Sequence, residues 1–122
     1  MTRLTRVYHS DLAIPEGIER PDSGVLLTYT RHAIVAASAD RVDKRLPIHL
    51  PPYRLIEVET FGGMAVKWVV RFALDSHTNL CMALAAGNIV KTVWVKDAKD
   101  RHATLDITKY DIPEDVREKA YA

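Results

Sequence analysis

Lys99, Asp100, Arg101, His102, Thr104 and Asp106 fall within the eight residues KDRHATLD, just after the apolar run IVKTVWV. A plain turn is built from Gly, Pro, Asn or Asp more readily than from a histidine and a threonine two apart. Thr104 or Asp106 bonding to local backbone would still make this an ordinary charged connection. The chemical alternative is sharper. A histidine with an unperturbed pKa of about 6.5, beside two cations and a hydroxyl, is the equipment of phosphoryl chemistry without a metal. RNA cleavage needs a base for the 2′-hydroxyl proton, cations for the charge developing on phosphorus oxygens, and an acid for the leaving 5′-oxygen. In that scheme His102 moves the proton, Thr104 orients the scissile group and Arg101 contacts phosphate.

Three further positions have suitable chemistry: His32 with Arg41, Lys67 with Arg71, and Tyr110. His32 would serve as a second acid or base, Arg71 would hold the scissile phosphate, and Lys67 and Arg41 would contact the RNA backbone. Each also has a plain structural explanation. A histidine at a helix start is usually a surface residue, and cations on one face of a one-sided sheet usually meet water. His9 is expected to be a bystander.

Other chemistries find little footing. The pair Gly62-Gly63 is followed by no GK[ST], so no phosphate loop is present. The five histidines, His9, His32, His49, His77 and His102, share no HxH or HxxxH spacing, and no metal or cofactor is expected. Cys81 lies in LCMALA, where an inert packed thiol is usual.

These residues need a scaffold. At 122 residues the chain fits a single domain, 1–122, with an irregular lead-in over 1–24 punctuated by Pro15, Gly17, Pro21 and Gly24. A small strand around Leu4 to Tyr8 is conceivable within it. VLLTYT reads as a short β-rich run or a helix approach, and RHAIVAASADR favours a helix from about Arg31 to Val42 with Thr30 at its N-cap. Three prolines between 47 and 52 then force an extended crossover.

From Tyr53 to Lys96 the period changes to two. RLIEVET, MAVKWVVRFAL, LCMALA and IVKTVWVK read as four strands of an antiparallel meander. In the second, Met64, Val66, Trp68, Val70, Phe72 and Leu74 alternate with a face carrying Lys67 and Arg71, which should point away from the core. A three-residue FGG loop would pair Val58 with Val66, Ile56 with Trp68 and Glu57 with Lys67. Across the next loop Leu74 is expected opposite Leu80. For the last strand both Val90, Thr92, Trp94 and Ile89, Lys91, Val93, Val95 are plausible inner faces. After KDRHATLD, Pro113 followed by acids and then bases suits a short C-terminal helix. The fold expected is α+β, an N-terminal helix packed on a four-stranded antiparallel meander, with a short C-terminal helix.

YTRHAIVAASADR, with a histidine at a helix start and an acid-arginine pair about nine residues on, resembles the opening motif of small RelE-like phage and mobile-element proteins. KTVWVKDAKDRHATLDITKY is similar to a tail of TVW, a polar turn, D-x-H-x-TLD and Tyr in related phage proteins. Together they cover about residues 25 to 110 and resemble the superfamily uniting barnase, EndoU, colicin tRNases and RelE-type toxins. The resemblance implies helices followed by a four-stranded antiparallel sheet. It matches His32 to the helix histidine, Arg41 to the arginine of the acid-arginine pair, and His102 with Thr104 to the tail motif. Ala37 and Ala39 stand where a toxin helix often carries basic residues.

Composition leaves the partner open, because 17 basic and 16 acidic residues give a net charge of only +1. Any RNA affinity must then be local. A single cysteine and the absence of a signal-like or membrane-length apolar run favour a cytoplasmic protein with no membrane partner. The expected function is metal-independent, toxin-like RNA cleavage, with RNA and an antitoxin or host protein as partners. The alternative is a non-catalytic phage or mobile-element accessory protein binding a host protein or nucleic acid.

Overall fold

The computed structural model describes residues 4–100 and 107–113. Strand β1 is Thr5–His9, β2 is Thr28–Tyr29 and helix α1 is Arg31–Ala39; β3 is Arg54–Phe61, β4 is Met64–Ala73, β5 is Thr78–Ala85 and β6 is Ile89–Asp97. All six strands form one sheet in the order β1-β3-β4-β5-β6-β2.

The protein is therefore mostly β, which corrects the α+β expectation of a helix on a four-stranded meander with a C-terminal helix. β3 to β6 pair antiparallel in sequence order, but they are only the middle of the sheet. β1 extends it antiparallel beside β3, with Thr5 opposite Phe61, while β2 lies parallel to β6 with Thr28 opposite Ile89. β1 overlaps the small strand suggested around Leu4 to Tyr8 and β2 lies within the β-rich run VLLTYT, but neither stretch shows in its own sequence which strand it will pair with. β2 is two residues long and is fixed by long-range bonds, from Thr28 N–H to Asn88 O at 3.1 Å and from Thr30 N–H to Val90 O at 3.1 Å. The C-terminal helix expected from Pro113 lies outside the described residues. The described C-terminal stretch contains one 3-10 turn at Ile107–Lys109.

The register also differs from expectation. β3 and β4 are joined by a two-residue turn, Gly62-Gly63, whose φ angles of 59° and 86° suit the hairpin turn that needs two left-handed residues. A bulge follows, and Glu59, not Glu57, faces Lys67; Glu57 faces Val69 and Val58 faces Trp68. Across the next hairpin Phe72, not Leu74, faces Leu80. In β6 a bulge between the Thr92 and Val90 pairings switches the face, so Val90 and Val93 are both buried. Each of the two sequence alternatives holds along part of that strand.

One face of the sheet carries Tyr8, Leu55, Val58, Trp68, Val70, Phe72, Leu80, Met82 and Leu84, packed under α1 and the lead-in. Thr30 caps α1 by accepting from Ala33 N–H at 3.1 Å, and its own hydroxyl donates to Lys91 O at 3.1 Å. Ala33 and Ala37, one turn apart and both fully buried, let the helix approach β6 closely. The helix ends earlier than Val42. Arg41 N–H bonds Ser38 O, Val42 N–H bonds Ala37 O, and Arg41 takes the left-handed φ of 58°, a Schellman stop with buried Val42 sealing it. The lead-in is tied down by Trp68 Nε1 donating to Glu19 O at 2.7 Å and Tyr53 to Pro21 O, and the proline crossover by Tyr29 donating to Pro47 O.

A C-terminal strap, Ile107–Pro113, crosses toward β1. Val7 N–H donates to Asp111 Oδ2 at 2.9 Å and Asp111 N–H to Val7 O at 2.7 Å, which blunts an otherwise open strand edge. Among the described residues no helix is long and apolar enough to cross a membrane.

Candidate functional site

Arg71 organises the second face. It points away from Val70 and Phe72, as alternation requires, and faces Cys81 on β5. Instead of meeting water it is only 8% exposed, because the loop after β6 folds over it. Its Nη2 donates to Asp97 O at 3.0 Å and to Asp100 O at 3.1 Å. With the Asn79 amide oriented to present its oxygen, that oxygen accepts from Nε at 2.8 Å and from Nη2 at 3.2 Å. Every one of these acceptors is neutral.

The surrounding cations each have a carboxylate. Arg54 meets Asp11 at 3.3 Å, Lys109 meets Glu57 at 3.7 Å and Lys96 meets Asp100 at 3.7 Å. Arg71 has none within 4.0 Å among the described residues, and Nη1 makes no hydrogen bond there. Buried charges are normally paired, and here neutral acceptors on Nε and Nη2 take the place of a carboxylate among the described residues.

Two hollows meet at Arg71. The larger, about 640 Å³, is lined by His9, Asp11, Arg54, Asn79 and Asp100 among others. The smaller, about 260 Å³, includes Val69, Cys81, Trp94, Lys96, Lys109 and Tyr110. Arg71, His9 and Ile56 line both. His9 is 4% exposed; its Nδ1 accepts from Asp11 N–H at 3.0 Å, which assigns the ring proton to Nε2. The Tyr110 ring meets it edge-on at 4.9 Å. Burial pushes the Cys81 thiol up, against the opposing pull of Arg71 and Lys96, so the hollow has a neutral sulfur in its wall.

The expected site residues divide. Lys67 is exposed on the same face as Arg71, opposite Glu59 and Ala85. His32 is exposed on α1, which packs on the opposite, apolar face, and Arg41 ends that helix. The sheet thus lies between His32 and Arg71, and the composite site containing both is not assembled. Arg101, His102 and Thr104 lie outside the described residues; the segment that carries them begins at Asp100, whose carbonyl Arg71 holds. His9, expected to be a bystander, lines the site, as do Asn79, Trp94 and Lys96. The signal for His9 was parity: in TRVYH it alternates with Tyr8, so a core Tyr8 puts His9 on the other face.

Among the described residues no group of three His, Cys, Asp or Glu side chains is placed to hold a metal. No known protein family, no curated protein and no solved structure matches the chain.

Proposed function

We propose that the protein acts on RNA as a metal-independent endoribonuclease of toxin-like type, with its site on the Arg71 face and not at the helix. The observation that carries this reading is Arg71 itself, a nearly buried guanidinium that has no carboxylate partner among the described residues and holds the root of KDRHATLD. In this reading the 2′-oxygen attacks phosphorus as His102 takes its proton. The P–O5′ bond breaks as a protonated group delivers a proton to the leaving oxygen, and the products carry a 2′,3′-cyclic phosphate and a 5′-hydroxyl. Arg71, Lys67 and Arg101 hold the phosphate oxygens, and Thr104 orients the scissile group. A cytoplasmic setting and an antitoxin or host partner belong to the same proposal.

Structured RNA incubated with the protein in EDTA should yield cyclic-phosphate ends, and His102→Ala should slow cleavage about 10²-fold or more. The position of His32 across the sheet favours a second reading, a non-catalytic accessory protein that binds nucleic acid or a host protein. That reading expects no cleavage by clean protein and a partner whose binding survives His102→Ala.

A further inference from the structure

Arg71 stands at the wall between the two hollows, and the smaller one is lined by the Trp94 and Tyr110 rings. We propose that the smaller hollow is a mononucleotide site, taking a phosphoryl group on Arg71 and one base ring against Trp94 and Tyr110; this rests on the reading that the face accepts RNA. At about 260 Å³ it falls just under the roughly 300–1,000 Å³ of ordinary small-ligand pockets. One ring fits, and two stacked bases do not. Aromatic stacking tolerates any base because each has a π-face, so the site would favour nucleotides without reading sequence. The phosphoryl group answers a charge that no carboxylate among the described residues pairs within 4.0 Å. Nη1 is the guanidinium nitrogen left to donate, since Nε and Nη2 are engaged by Asn79, Asp97 and Asp100, and hydrogen bonds from a charged donor to such oxygens are the strong ones. Lys96 and Lys109, already paired with Asp100 and Glu57, contribute field at the rim.

The chain has two tryptophans, and Trp68 is packed in the opposite face, so quenching by a ligand in this hollow reports on Trp94. Titration with a nucleoside monophosphate should quench saturably, and the matching nucleoside without phosphate should bind about 10-fold more weakly or worse. Inorganic phosphate should compete only at higher concentration. Arg71→Lys keeps the charge but cannot hold the loop carbonyls and Asn79 while also donating to the ligand as the guanidinium does; it should weaken binding about 10-fold. Trp94→Leu, followed by calorimetry, should do the same, with circular dichroism confirming that both variants fold. Absence of saturable binding, free phosphate binding as tightly as the nucleotide, or unchanged affinity in folded Trp94→Leu would each overturn the proposal. Mononucleotide binding without cleavage of any RNA would keep it and sink the nuclease reading, whereas cleavage without mononucleotide binding would do the reverse.

Discussion

The two faces of the sheet are both covered, but by different physics. Under α1 and the lead-in, Val58, Val70, Leu80, Met82, Leu84 and Val90 are each 0% exposed, and water is excluded by side chains that want no partner. Across the same strands, Arg71 is nearly as inaccessible, yet it is surrounded by carbonyls, an amide, a histidine and ion pairs. A face that served only stability has no need of a guanidinium at the Arg71 position, since burying a charge carries a desolvation cost that neutral acceptors only partly offset. The difference is what the proposed ligand site on the second face rests on.

Substitutions can break this comparison. Leu84→Ala should lower unfolding free energy by about 2–5 kcal/mol in urea, the usual cost of a cavity at a core leucine, with little specific effect on ligand binding in the folded fraction. Arg71→Met should cost about 1–2 kcal/mol, because the Asp97 and Asp100 carbonyls and the Asn79 amide oxygen lose their donor and removal of the buried charge offsets only part of that, while RNA binding falls about 10-fold or more. Equal destabilisation by the two would mean that Arg71 is a loop clamp and the faces do not differ in purpose.

The hairpin that decides which residues face which way supplies a smaller test. Gly63 has φ of 86° with open space around its Cα, so Gly63→Ala meets only backbone strain and should cost about 1–2 kcal/mol in thermal or urea unfolding. At the helix end the sign reverses. Arg41→Gly should stabilise by about 1 kcal/mol by relieving a left-handed arginine, and a drop in RNA affinity with it would bring the helix back into the site.

The smallest effect is alkaline. Burial pushes the Tyr29 hydroxyl up to about 12 from its ordinary 10.0. The unfolded chain therefore releases this proton first, and the stability that Tyr29 contributes is complete below pH 10 and lost as pH rises through 12. Tyr29→Phe should flatten the alkaline limb of stability against pH, and an unchanged limb would assign it to other groups.

Period-two alternation makes four strands readable between Tyr53 and Lys96, and it separates Arg71 from Trp68 and Phe72. It could not say that Arg71 is buried, because burial comes from residues 97–100 and from the strap near Tyr110, distant in sequence or irregular in conformation. The expected Glu57–Lys67 pair failed because the turn has two residues where three were expected and a bulge shifts the register by one more, and the position of a bulge depends on the twist of the whole sheet. His32 reads equally well as a site residue or a surface residue until the side of the sheet on which α1 packs is known.

The sequence by itself determined what is local: the apolar alternation of β4, the Thr30 cap, the proline crossover and the cations available to a site. These follow from steric and hydrogen-bonding rules acting over a few residues. Only the tertiary structure decided that β1 and β2 complete a six-stranded mixed sheet, that His32 and Arg71 lie on opposite sides of it, and that His9, Trp94 and Tyr110 gather beside Arg71. Those outcomes depend on pairings such as Thr5 with Phe61 and Thr28 with Ile89, in which chain closure over long distances is offset by burial of a common core that no short stretch of sequence contains.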